Sequence, residues 1–402
     1  MKKLNSIFKM DKKNRHQILL WLIGGLILTF ATEIFLRGSV KEVVSWVKET
    51  PGVMLANYLL ILMLTSIFFL AKRKYMVYFI SFVVILGVSI TTFFLMKVRG
   101  TPLTFSDLYS IGEAMEIADK YINPTIIIIG IVCIAFLVVF CVFLYKLDGD
   151  TKRFKLINFV LVFVVSAVFF TTVRSQQAKN IMVYKRWDIP ASYKCNGLTY
   201  STVESCLKYI RTKPNDYSQS KIAKIKEKVD KAEANDNRKL NKNKPNVLFV
   251  QLEAFMDPET IKGVKYSEDP IPNFRKLTKL YTSGMANVPT TGGGTVRTEF
   301  EVMTGNNIDY LTPGEIPYST ILKSKYYNSV ATTLSSQGYE THAVHNFQGN
   351  FYGRNNAYGK LGFGDFTSQE YMSGYELNER NWIKDKILTK YIKKALDSTE
   401  GS

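Results

Sequence analysis

The stretch TTGGGTVRTEFEVMTG, residues 290–305, sets a hydroxyl directly behind three glycines. Gly292, Gly293 and Gly294 carry no Cβ, so another group can come close to the backbone there. The residues after Thr295 read as a helix. A glycine loop opening a helix offers backbone N–H groups and the positive end of the helix dipole, which suits a phosphate. No lysine follows the glycines, so this is not a Walker motif. The plainer reading is a turn with a helix cap, since threonine caps well. Glu253 sharpens the chemical alternative. It closes NVLFVQLEAF, which reads as a buried parallel strand with an acid at its C-terminal end. In open α/β sheets ligands gather at such ends. A threonine hydroxyl is a poor nucleophile at neutral pH. A metal ion on its oxygen lowers its pKa and neutralises phosphate charge, and a carboxylate helps to hold that metal.

The elements around these residues alternate. IPNFRKLTKLYTSG reads as a helix with Gly284 after it, MANVPTT as a short strand, and TVRTEFEVMTG as a helix. SVATTLSSQGYETHAVHNF reads as a helix, Gly338, then a strand ending near His345. Strands alternating with helices argue an α/β sheet. The division expected is 1–174 for the apolar part, 175–243 for a basic connector and 244–402 for the α/β domain. Within the connector, Ile222, Ile225 and Val229 mark a helix rich in lysine and glutamate, and NDNRKLNKNKP has the composition of an exposed linker.

Residues 18–173 are mostly apolar, and five stretches approach or exceed bilayer length: Ile18–Leu36, Val53–Ala71, Tyr75–Met96, Thr125–Tyr145 and Leu156–Val173. The net charge is +18. In a soluble protein that would raise nucleic acid as a partner. Beside apolar spans it points to anionic lipid, and no nucleic-acid partner is expected. The N-terminal segment and the second–third and fourth–fifth connections carry 13 lysines and arginines, against six in the other two loops. This bias places the N-terminus in the cytoplasm, and five spans then place everything after Val173 outside. Ile111, Met115, Ala118 and Ile122 suggest a short amphipathic helix on the outer face, or an ordinary connecting helix. Cys195 and Cys206 lie on the oxidising side, so whether they pair stays open.

Three segments in order, NVLFVQLEAF, GGGTVRTEFEVMTG and HNFQGNFYGRNNAYGKLGFGDF, resemble the lipoteichoic acid synthase family of Gram-positive bacteria, within the alkaline phosphatase and sulfatase superfamily. RGTPLTFSDL resembles that family's outer membrane loop. The resemblance implies a five-helix membrane domain followed by an extracytoplasmic sulfatase-like α/β domain. By position, Thr295 matches a threonine nucleophile that also binds metal, Glu253 a carboxylate ligand, and the ion is typically manganese. Arg354 matches an arginine that binds the glycerol phosphate group, and His345 a histidine opening that segment. Tyr352 stands where the family has an aromatic residue, here tyrosine in place of tryptophan. The family completes its metal site with a downstream Asp-His pair. No histidine follows Arg354 in this sequence, so the domain reads as incomplete and the chain as inactive by itself.

The implied activity is cell-membrane transfer of glycerol phosphate from phosphatidylglycerol to a glycolipid or growing teichoic acid, through a threonine intermediate. A different phospho-group, such as phosphoethanolamine, is a variant. A non-catalytic membrane-anchored phosphate-binding or regulatory module is the alternative. The Cys/Ser-x-Pro-x-Arg signature expected of a sulfatase is absent, the stretch here being Thr-Val-Arg-Thr. Oligomeric state is not legible.

Overall fold

The structure is a computed structural model of the chain. It describes residues 12–112, 124–147, 156–185, 188–210, 216–234, 244–252, 255–288, 294–312, 314–379 and 381–399. The chain divides into two compact units. One comprises Met1–Tyr209, Thr290–Gly294 and Ile308–Ile316, and the other Ile210–Pro289, Thr295–Asn307 and Pro317–Ser402.

The first unit is helical. α1 spans Lys12–Arg37, α2 Val40–Glu49, α3 Pro51–Thr65 with a 3-10 turn to Leu70, α4 Lys74–Val98, α5 Pro124–Leu147 and α6 Leu156–Ala178. α1, α3 with its 3-10 turn, α4, α5 and α6 are long and apolar enough to cross a membrane. Each covers the stretch expected from hydropathy, with ends shifted by a few residues. Trp21 fastens α1 to α3, its indole N–H facing Leu62 O at 3.0 Å and Thr65 Oγ1 at 3.1 Å. A buried indole needs such an acceptor, because an unpaired polar group in an apolar core costs free energy. Around it pack Trp46, Val53, Leu59, Phe68, Phe69 and Phe169.

α2 has no counterpart in the hydropathy reading. Its signal is local: Ser39 accepts the Glu42 N–H at 3.4 Å, and Val43 and Trp46 turn inward. The loop after α4 is set by Arg99, whose Nη1 and Nη2 reach the two oxygens of Asp107 at 2.7 and 2.8 Å. Asp107 and Thr104 form a reciprocal capping box. Ile111 is exposed, but Met115, Ala118 and Ile122 lie outside the described residues, so the amphipathic helix is not addressed.

Past α6 the chain folds back as α7, Ile189–Asn196, and α8, Leu198–Tyr209. The first residues of the expected connector therefore pack on the helices. Ile189, Tyr193 and Leu198 form a core with Leu36. The polar groups of the turn are answered from α1 and α3. Glu33 Oε1 accepts the Leu198 N–H at 2.8 Å, Asn57 Oδ1 accepts the Tyr200 N–H at 2.9 Å, and Asn57 Nδ2 donates to Asn196 O at 2.8 Å. Gly197, at φ +83, leaves room for this: a Cβ there would lie 2.3 Å from Asn57 Nδ2. Cys195 and Cys206 are both free.

The second unit begins, among its described elements, with α9, Gln219–Ala234, which is exposed along its length and reads as a solvated helix. α10 spans Pro272–Leu280, α11 Val296–Thr304, α12 Val330–Ser336, β1 His342–Val344, α13 Arg354–Lys360, β2 Asp365–Thr367 and α14 Lys386–Asp397. β1 and β2 pair in parallel, His342 with Asp365 and Val344 with Thr367. The strand–helix–strand order with parallel pairing is the α/β character expected. α12 opens on a capping box between Ser329 and Thr332.

Two expectations fail here. Residues 244–252 form no ladder, and Val247, Leu248, Phe249, Val250 and Leu252 stand about half exposed. A buried parallel strand needs neighbours on its edges and cover on both faces. Among the described residues the only sheet is β1–β2, so this run gains neither. Of MANVPTT the described residues, 285–288, belong to no strand and are exposed, Met285 fully so. The helix expected before Gly284 is α10. The helix ends at Leu280, where Tyr281 turns to extended backbone with its N–H on Leu277 O.

Candidate functional site

Thr295 heads α11 at φ −57, ψ −22, and its side chain makes no capping bond. The plainer reading of this residue, a threonine spent on capping, is therefore not what the geometry shows. Gly294, just before it, sits at φ +93, a conformation that L side chains avoid. Gly305 ends the helix at φ +68. Glu253, Gly292 and Gly293 lie outside the described residues, so the spacing between Glu253 and Thr295 is not addressed.

His345 follows β1 directly. Its N–H continues the ladder to Thr367 O at 2.9 Å, and its Nδ1 accepts the Phe347 N–H at 3.1 Å. Nδ1 being the acceptor, the neutral ring carries its proton on Nε2. Burial and then the charge of Arg354 push its pKa down to about 3, so the ring is neutral at physiological pH. The chain next turns sharply: Tyr352 and Gly353 are both left-handed, at φ 58 and 66. For a tyrosine that conformation costs about 1–2 kcal/mol. The turn delivers Arg354 to the head of α13, with its guanidinium carbon 5.4 Å from the centre of the Tyr352 ring.

Arg354 is 1% exposed and Glu299 6%. Arg354 Nη2 donates to Glu299 Oε2 at 3.2 Å, while Glu299 Oε1 accepts from Tyr318 Oη at 2.9 Å and Tyr358 Oη at 2.5 Å. Burial first, then the Glu299 charge, holds both tyrosines well above their usual range, so they remain hydroxyl donors. Three of the expected substrate residues, His345, Tyr352 and Arg354, thus come together, with Arg354 tied to the helix that Thr295 opens. Glu299, Tyr318 and Tyr358 were not singled out by sequence as its partners. The signal for two of them was spacing, since Glu299 lies four residues after Thr295 and Tyr358 four after Arg354. Tyr318 had none. Elsewhere, His342 is the first residue of β1, 3.7 Å from Glu340 and from Asp365.

Residues 245–402, the C-terminal part of the chain, match the Sulfatase family. The chain is also 31% identical over 214 residues to a protein of Rhizobium meliloti (strain 1021) named as a cyclic beta-1,2-glucan modification protein. That match takes in 53% of this chain and 32% of the relative, so it spans about a third of the relative's length. No solved structure matches. Members of that family commonly use divalent metals. Among the described residues, however, no three histidine, cysteine or acidic side chains gather to hold a metal ion.

Proposed function

We propose that the chain is the membrane-bound part of a phosphoglycerol transferase. The lipid phosphatidylglycerol would give up its glycerol phosphate to a hydroxyl on a glycolipid or a growing polyglycerolphosphate chain. One observation carries the reading: within a sulfatase domain, a threonine whose hydroxyl is not used as a cap opens a helix behind glycines. The five apolar helices support placement in the cell membrane, and the lysine and arginine bias of their connections supports the N-terminus inside and the sulfatase domain outside. In the first step Thr295 Oγ forms a bond to phosphorus. The phosphorus–oxygen bond to diacylglycerol breaks, and that oxygen leaves as a hydroxyl, its proton balancing the one Thr295 loses. In the second step the acceptor oxygen bonds to phosphorus, the bond from phosphorus to Thr295 Oγ breaks, and the acceptor's proton balances the one that restores the Thr295 hydroxyl. Arg354 supplies positive charge and N–H donors to the phosphate oxygens, a role for which a planar guanidinium is suited. Neutral His345 offers the proton on Nε2 as a hydrogen-bond donor. A divalent metal, with manganese the expected ion and Glu253 and Thr295 its expected ligands, would supply charge neutralisation at the phosphate.

A second reading keeps the chemistry and changes the acceptor. The Rhizobium relative's name favours a hydroxyl of a glucan, receiving a phosphoryl substituent. The test is direct. The complete transferase of which this chain is a part, in phosphatidylglycerol nanodiscs with manganese added, should form a labelled glycerolphosphate adduct and release diacylglycerol. Thr295→Ala should do neither, whereas Thr295→Ser should keep part of the activity because a hydroxyl remains. Equal diacylglycerol release by wild type and Thr295→Ala refutes the nucleophile. Absence of adduct and release in the wild type, with phosphate still bound, favours the non-catalytic module.

A further inference from the structure

We infer that Glu299 is a positioning residue for the guanidinium of Arg354, so that two helices, one headed by Thr295 and the other by Arg354, are held in fixed relation. The inference rests on reading Arg354 as the phosphate-binding residue. Glu299 Oε1 is engaged by two hydroxyls, from Tyr318 and Tyr358, and Oε2 meets Arg354 Nη2. Two donors on one oxygen fix the rotation of the carboxylate, and the fixed second oxygen then aims the arginine. Burial makes this more than an incidental pair. With Glu299 6% and Arg354 1% exposed, water cannot readily replace either partner.

The linkage to the helices is short on both sides. The Glu299 N–H donates to Thr295 O at 3.1 Å, one turn from the threonine. Tyr358 lies one turn along α13 from Arg354 and returns its hydroxyl to the same carboxylate. A displacement of α11 therefore moves the group that aims Arg354. Phosphate transfer is sensitive to such placement, since misalignment of about 1 Å costs on the order of a hundredfold in rate.

The purely structural alternative is a buried ion pair that serves stability alone. The two differ in what Glu299→Gln does to a protein that still folds. The glutamine carbonyl can accept from both tyrosines, but its amide then turns N–H toward Arg354, donor against donor. Wild type, Glu299→Gln, Tyr318→Phe and Arg354→Gln would be prepared as full chains in nanodiscs. The first readout is ¹⁵N NMR of the arginine side chains, with Arg354 assigned by its loss in Arg354→Gln. A held guanidinium shows slowed rotation of its Nη groups; Glu299→Gln should abolish that slowing, and Tyr318→Phe should weaken it. The second readout is the affinity for sn-glycerol 3-phosphate, expected to fall about tenfold in Glu299→Gln and about threefold in Tyr318→Phe. Should Glu299→Gln fail to fold, Tyr318→Phe decides, because it leaves both charges in place. An Arg354 signal and affinity unchanged in a folded Glu299→Gln, or in Tyr318→Phe if that alone folds, overturns the inference. Equal affinity in wild type and Arg354→Gln overturns the phosphate role of Arg354 instead, while the NMR readout still decides the positioning.

Discussion

Acid should loosen the second unit through His345 before other changes account for it. The ring's pKa stands at about 3 in the folded chain, against about 6.5 when unfolded. The depressed value means that the unfolded chain takes up a proton first. The stability it contributes is complete above pH ~6.5 and is lost as pH falls toward 3. Between pH 7.5 and pH 4 the loss is roughly 3 kcal/mol, an upper bound because the ring keeps some exposure. That corresponds to about a hundredfold or more in the opening equilibrium. Hydrogen exchange of the β1 amides, read by mass spectrometry over residues 339–350 and corrected for intrinsic rates, measures that equilibrium locally. Wild-type protection should fall by about that factor between the two pH values. His345→Asn, whose Oδ1 can replace Nδ1 as acceptor for the Phe347 N–H, should lose less than about tenfold. Carboxylates titrate in both proteins, so the difference isolates the ring. Equal pH dependence in the two would refute the burial argument.

Two further outcomes follow from the first unit. Gly197→Ala places a Cβ 2.3 Å from Asn57 Nδ2 at φ +83, and should lower stability by about 2–4 kcal/mol in thermal unfolding of the nanodisc-embedded chain; a change below about 0.5 kcal/mol would refute the tight turn. With the native cysteines removed, a cysteine at Ser218 should react with an impermeant thiol reagent on intact cells and one at Asn5 should not; the reverse pattern would overturn the proposed orientation.

Long apolar runs were the most legible part of the sequence, because a run of some twenty apolar residues has few alternatives to a helix. α11 and β1 were legible for a local reason, Gly305 closing the helix and Gly338 preceding the strand. The reading of 246–252 failed because hydrophobicity states a demand for cover without showing what supplies it. Five large apolar residues in that segment stay exposed for want of a neighbouring strand and layer. The α7–α8 turn was missed for the opposite reason. Its polar groups are answered across long separations, Glu33 to Leu198 and Asn57 to Tyr200, which no window along the chain can display.

At the candidate site the same division is sharper. Motif resemblance picked out His345, Tyr352 and Arg354, and each reaches the cluster by a separate local device: the end of a strand, a left-handed turn, and the first residue of a helix. Resemblance did not supply what a buried guanidinium requires. A charge that is 1% exposed must have a counter-charge, and that counter-charge must itself be satisfied. Glu299 meets the first requirement, and Tyr318 and Tyr358 meet the second. Because Glu299 sits one turn after Thr295, the residue that balances the arginine also rides on the helix that carries the proposed nucleophile. Charge balance in the core and alignment in the site then depend on one carboxylate, so a change at position 299 should alter how Arg354 is aimed as well as how well the unit holds together.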